Sequence, residues 1–118
     1  LRDLARFGEA MRCDGSFNGQ QIVPAAVVND IRRGADRAQF ASAGYATLPG
    51  WSYRNMWWVS HDAHQCITAR GIHGQLVWID PVAEMVIARY ASHPVAGNVG
   101  NDPVTLPAFA AVARALMG

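Results

Sequence analysis

The sequence predicts an α+β domain, an antiparallel sheet flanked by helices, and three observations carry that prediction. Apolar residues recur at helical spacing near both ends of the 118-residue chain. Between Trp51 and Ala88 the pattern changes to short runs rich in β-forming residues. Short turn sequences separate those runs, and connections of that length join antiparallel neighbours.

The first helix is read from Leu1, Leu4, Ala5, Phe7, Gly8 and Met11, a stripe that stops near Cys13, Asp14 and Gly15. It opens abruptly, with no initiator Met and no capping residue, which predicts a chain cut from something longer. A tight loop from Gly15 to Gly19 and the apolar pair Ile22 and Val23 lead to Pro24, a residue suited to the first turn of a second helix. That helix carries Ala25, Val27, Val28 and Ile31, and ends at Arg32, Arg33 and Gly34 with cations at the negative end of its dipole. Residues 35–50 are small, polar and punctuated by Gly and Pro, predicting a surface loop with one helical turn near residues 38–41. A meander of four strands is predicted at residues 56–59, 67–69, 76–79 and 85–88. Residues 76–79 are apolar on both faces, so both sides of that strand should be covered. A last helix, capped by Asp102 and Pro103 or by Thr105, should bury Leu106, Phe109, Val112, Ala113, Leu116 and Met117. No linker or repeat divides residues 1–118.

Composition excludes several classes of function. The net charge is +1 and the ten basic residues are scattered, so no nucleic-acid footprint is present. No apolar run is long enough to span a bilayer, and no membrane partner is expected. All ten cations are arginine, which removes Schiff-base chemistry, the phosphate-loop lysine and the Ser-x-x-Lys pair from these residues. Cys13 and Cys66 fit no metal or redox spacing and read as free thiols, which favours a reducing compartment such as the cytoplasm. No cofactor is expected.

Four segments invite a functional reading. Trp51, Tyr53, Trp57 and Trp58 form an aromatic cluster; of the adjacent pair, one ring must face the opposite side of the sheet and is a candidate to line a cleft. His61, Asp62 and His64 raise a metal hypothesis, but no third ligand follows from spacing, so a solvated turn with no metal is expected. Tyr53, Arg54 and Asn55 match Tyr-x-Asn, a weak three-residue pattern. Gly71, Ile72, His73, Gly74 and Gln75 form a glycine-flanked turn whose backbone N–H groups could approach a ligand.

Larger patterns then add a resemblance. Leu4, Ala5, Arg6, Phe7 and Gly8, the loop Gly15 to Gly19, and Gln21 to Pro24 resemble a stretch of the serine β-lactamase-related hydrolases. The run from Gly50 to Trp58, the run from Arg70 to Gln75, Asp80-Pro81, and the run from Ser92 to Asn98 are most similar to the 6-aminohexanoate-dimer hydrolases, amidases and esterases of that family. The resemblance covers essentially the whole chain. It implies the C-terminal portion of a β-lactamase/transpeptidase-like domain, with residues 1–118 following the Ser-x-x-Lys nucleophile and the Tyr-x-Asn tyrosine. Tyr53 is then too close to Gly71 to be that tyrosine, and packing or cleft lining is its implied role. Ala69, Arg70 and Gly71 fall on the family's Lys-Thr-Gly motif, so the cation that holds a β-lactam carboxylate is not reproduced in kind. The resemblance assigns the Ile72 backbone N–H, after Gly71, as an oxyanion donor. It assigns Trp58 to substrate contact, with His73, Gly74 and Gln75 shaping the adjacent wall.

The implied reaction is acyl transfer from a small amide or ester to a serine supplied by the missing N-terminal part of the same domain, so that this chain alone is inactive. Two other readings remain: a self-contained module binding a small ligand with its tryptophans, and a segment of an inactive relative.

Overall fold

The computed structural model describes residues Leu1–Gly118. Four helices, a small hairpin and a five-stranded antiparallel sheet make up the fold. Helix α1 (Arg2–Arg12) precedes the two-residue strands β1 (Ser16–Phe17) and β2 (Gln20–Gln21), which replace the simple loop expected there. Helix α2 (Ala25–Arg33) follows Pro24, and α3 (Arg37–Ser42) is slightly longer than the single turn predicted. Asp36 caps α3 by accepting the N–H groups of Ala38 and Gln39.

The sheet runs β3 (Ser52–Arg54), β4 (Trp57–Val59), β5 (Ile67–Arg70), β6 (Leu76–Asp80) and β7 (Met85–Arg89), each strand beside its sequence neighbour. The sequence predicted four of these strands and missed β3. Arg54 pairs with Trp57, so Asn55 and Met56 alone make the connection, and both have positive φ (49° and 69°). Those are the requirements of a primed two-residue hairpin turn, for which Gly is the usual second residue. Met in its place hid the signal.

Alternation along the strands separates two cores. On one face Trp57, Val59, Ile67, Val77 and Ile79 pack with Met11 of α1 and Val28 and Ile31 of α2. On the other, Cys66, Leu76, Trp78 and Met85 pack with Phe40 of α3 and with Phe109 and Ala113 of α4 (Asp102–Met117). Every residue of β6 is buried, as two-sided cover requires. Gly8 sets the approach of α1: a Cβ there would lie 2.5 Å from Val86 Cγ1 and 2.9 Å from Val77 Cγ2. Arg32 of α2 donates to the carbonyls of Met11 and Arg12, satisfying acceptors at the C-terminal end of α1.

Helix α4 departs from expectation at both ends. Asp102 does not cap it; Asn101 precedes the first turn without a side-chain cap, and Asp102 turns inward. The buried stripe is Asp102, Thr105, Phe109 and Ala113, with Leu106 half-buried, whereas Val112, Leu116 and Met117 are exposed. The period was right and the face rotated, because the buried ion pair of Asp102 fixes the rotation of the helix.

Candidate functional site

Adjacent tryptophans on β4 face opposite ways. Trp57 is buried and stacks on Phe7 at 6.1 Å, while Trp58 is half-buried on the other face. Around Trp58 stand Tyr45 (4.9 Å), Tyr53 (5.2 Å) and Phe40 (5.8 Å), all edge-on, and the Arg70 guanidinium lies 5.3 Å from its ring centroid. Edge contacts fix the ring while leaving part of it accessible.

Arg70 ends β5 beside this ring, and its charge is spoken for. It pairs with Asp102, and both side chains are nearly inaccessible, at 7% and 5%. Thr47 donates to the second Asp102 oxygen at 2.6 Å. Arg89 is close by, donating to the Gly74 carbonyl at 2.7 Å and to Thr105 at 3.2 Å.

Beyond Arg70 the chain makes a 3-10 turn at Ile72–Gly74, clamped by the segment that follows β7. Gly71 N–H donates to Gln75, His73 N–H to Ala96, and His93 N–H to His73, while Asn98 Nδ2 donates to Gly71. The His73 ring nitrogen Nδ1 lies 2.7 Å from the His93 carbonyl. Ile72 N–H opens the turn and has no partner among these turn and loop bonds, and the Ile72 side chain is 61% exposed. Gly71 is ordinary extended backbone (φ −96°, ψ 179°), and a Cβ there would meet nothing closer than 3.4 Å. The residue that must be glycine is Gly74, at φ 86°, where a Cβ would fall 2.0 Å from the His93 ring. Of the two glycines that flank the turn, the conformational requirement therefore falls on Gly74.

Trp58, Arg70, Gly71 and Ile72 line a cleft of about 680 Å³ together with Tyr45 and Asn98. A second, shallower opening of about 500 Å³ brings Tyr53 and Gln75 to the other flank of Trp58 and Gly71. His73 and Gly74 line neither opening; they form the brace behind the turn. Tyr45 was not singled out in the sequence, Asn98 entered only as the end of a family-like run, and Asp102 was read as a helix cap. They sit in loops or at a helix start, where no periodicity announces contacts such as Asn98 with Gly71, 27 residues apart, or Asp102 with Thr47, 55 residues apart.

The turn after β4 is exposed at Asp62, Ala63 and Gln65, as expected, but both of its histidines are half-buried and engaged. His61 Nε2 lies 2.7 Å from the Oγ of fully buried Ser52, which also accepts the Ala35 N–H. This Ser–His contact lines none of the clefts described and serves as a latch under the α2–α3 connection. His64 Nδ1 donates to the buried Asp80 carboxylate at 2.7 Å. Burial and then the Arg37 charge hold His61 below the ordinary 6.5, whereas the hydrogen bond to Asp80 raises His64 above it. By linkage, the His64 contribution to stability is full below 6.5 and lost as pH rises through its folded value. That of His61 is full above 6.5 and lost as pH falls through its folded value. An NMR titration of the imidazole protons should therefore resolve two midpoints on opposite sides of 6.5; coincident or reversed curves would contradict these contacts.

Comparison with known proteins begins with the fold. A solved structure from Bacillus anthracis, described as a candidate 6-aminohexanoate-dimer hydrolase, superposes with a TM-score of 0.79 at 30% identity. The match covers 98% of this chain and 29% of that one, so the architecture is that of part of that structure, consistent with a β-lactamase-like fold. No protein-family model matches the chain. The particular relationship comes from sequence: the chain is homologous to the 6-aminohexanoate-dimer hydrolase of Paenarthrobacter ureafaciens, 33% identical over 94 residues. Those residues are 79% of this chain and 24% of the relative, so the chain spans about a quarter of that protein's length.

Proposed function

We propose that the chain forms the sheet and one cleft wall of a serine hydrolase that cleaves a small amide or ester bond through an acyl-enzyme. The observation that supports this most directly is the turn at Ile72. Its N–H lacks a partner while the N–H groups on either side are taken, and its residue lines the cleft beside Trp58. An oxyanion hole needs a donor that is unpaired in the ground state and held by rigid neighbours. The clamp of Asn98, Ala96 and His93 supplies the rigidity.

In this reading a serine attacks the substrate carbonyl, and Ile72 N–H donates to the developing oxyanion. Water later releases the acyl group. The serine and its lysine lie in polypeptide beyond these residues, which contain no lysine. Trp58 contacts the substrate across the cleft, with Tyr53 and Gln75 on its second flank, while His73 and Gly74 act by holding the turn. Arg70 is neutralised by Asp102, so the wall offers no free cation to a substrate carboxylate and selects by shape and aromatic contact instead.

Intact-mass measurement tests the covalent route. The full-length polypeptide, mixed with an activated ester and quenched within the first turnover, should carry one acyl group on a serine outside these residues. Turnover with no adduct would overturn the acyl-enzyme.

A further inference from the structure

We propose that His64, Cys66 and Asp80 constitute a binding site for one divalent metal ion of the zinc type, on the sheet face covered by α4 and apart from the Ile72 cleft. The three come from the β4–β5 connection and the end of β6, far enough apart in sequence that spacing did not join them. Antiparallel pairing of β5 with β6, with Ile67 opposite Ile79, brings them together. One donor atom from each, the imidazole nitrogen, the sulfur and a carboxylate oxygen, lies within 4.8 Å of the other two.

The donor set suits a borderline-soft ion. Zinc takes thiolate sulfur at about 2.3 Å and imidazole nitrogen or carboxylate oxygen at about 2.0–2.2 Å, which sets tetrahedral donors roughly 3.4–3.6 Å apart. Small rotations reach that spacing: the His64–Asp80 contact opens from 2.7 Å as the ion replaces the shared proton. Charge also balances. Thiolate and carboxylate together neutralise a dication, and neutral imidazole adds none. Binding forms a metal–sulfur and a metal–nitrogen bond and breaks the S–H bond of Cys66 and the Nδ1–H bond of His64; the thiol proton leaves to solvent, and the imidazole stays neutral by carrying its proton on Nε2 after exchange with water.

Cys66 is 3% exposed, with its N–H donating to Asp62 and its sulfur close to the Asp80 carboxylate. A dication there would be met by two carboxylates and by a thiol that coordination deprotonates outright. All three donors line a cavity of about 550 Å³, shared with Asp62, Trp51, Trp78 and Phe109. The cavity leaves a fourth position for water or for Asp62, and half-buried His64 gives the ion a way in.

Cobalt reports the site directly. Purified, chelator-treated protein titrated with Co²⁺ should bind one ion, with a near-ultraviolet thiolate charge-transfer band and the visible bands of a four-coordinate ion. Quenching of tryptophan emission should accompany it, because Trp51 and Trp78 line the cavity. Added Zn²⁺ should bleach the bands. Cys66→Ser should abolish the charge-transfer band, Cys13→Ser should leave it, and His64→Gln should weaken binding by about 10- to 100-fold or more. If Cys66→Ser does not fold, the Cys13→Ser and His64→Gln variants decide. Absence of a thiolate band at saturating Co²⁺, or a band lost with Cys13, overturns the site.

Discussion

On the proposed oxyanion role of this turn, Gly74→Val in the full-length polypeptide should lower kcat by about 100- to 1000-fold, the usual effect of losing one oxyanion donor. Gly74 has φ 86°, and a side chain there meets the His93 ring at once. An L-residue in that conformation carries about 1–2 kcal/mol of backbone strain before any contact is counted. Relief comes by moving the His93 segment, whose bonds to His73 fix the turn that presents Ile72 N–H. Because the lost interaction belongs to the transition state, kcat and kcat/KM should fall together. Gly71→Ala should stay within a few-fold of the parent, since its backbone is extended and its Cβ position open. Ile72→Ala should do likewise, because the proposed donor is backbone. A folded Gly74→Val enzyme with near-normal kcat would remove this turn from the oxyanion role.

Asp102→Ala should destabilise the protein by about 3–5 kcal/mol, the range for a buried ion pair that loses one partner. The residue accepts from both Arg70 and Thr47 in an almost inaccessible site, so alanine strands a guanidinium and a hydroxyl. Arg89, whose own charge is disfavoured first by burial and then by Arg70, loses a counter-charge as well. Thermal unfolding should shift down by roughly 10–20 °C for a chain of this size. Replacing the pair together, as Arg70→Met with Asp102→Leu, should recover much of the loss, since apolar residues of similar volume remove both charges. A single variant that melts within a degree or two of the parent would show that water already reaches the pair.

Local pattern carried most of the fold. Helical periodicity found α1, α2 and α4, because a helix on a core buries one stripe, and runs of β-forming residues found β4 to β7, because a sheet covered on both faces is apolar along its strands. It failed where tertiary contact overrides local chemistry. Asp102 reads as a cap and is instead the buried partner of Arg70, so the stripe of α4 turned away from Val112, Leu116 and Met117. His61 and His64 read as solvated, yet Ser52 and Asp80 wait on neighbouring strands. The opposite facing of Trp57 and Trp58 was legible, since adjacent strand residues must diverge. The clamp on the Ile72 turn was not, because Ala96 and Asn98 carry no pattern that points back to Gly71 and His73.

The unbroken strand order has a consequence for how quickly the sheet can assemble. Each of the five strands pairs only with its sequence neighbours, so every closure joins residues a short way apart along the chain. Loop-closure entropy rises with loop length, and chains rich in near-neighbour pairings fold faster than those that must bring distant strands together. Long-range contacts, among them α1 against β7 through Gly8 and Arg70 against Asp102, add helices to a surface that neighbouring strands can build by themselves. The meander is thus suited to form early, as a template on which the remaining parts of the molecule settle.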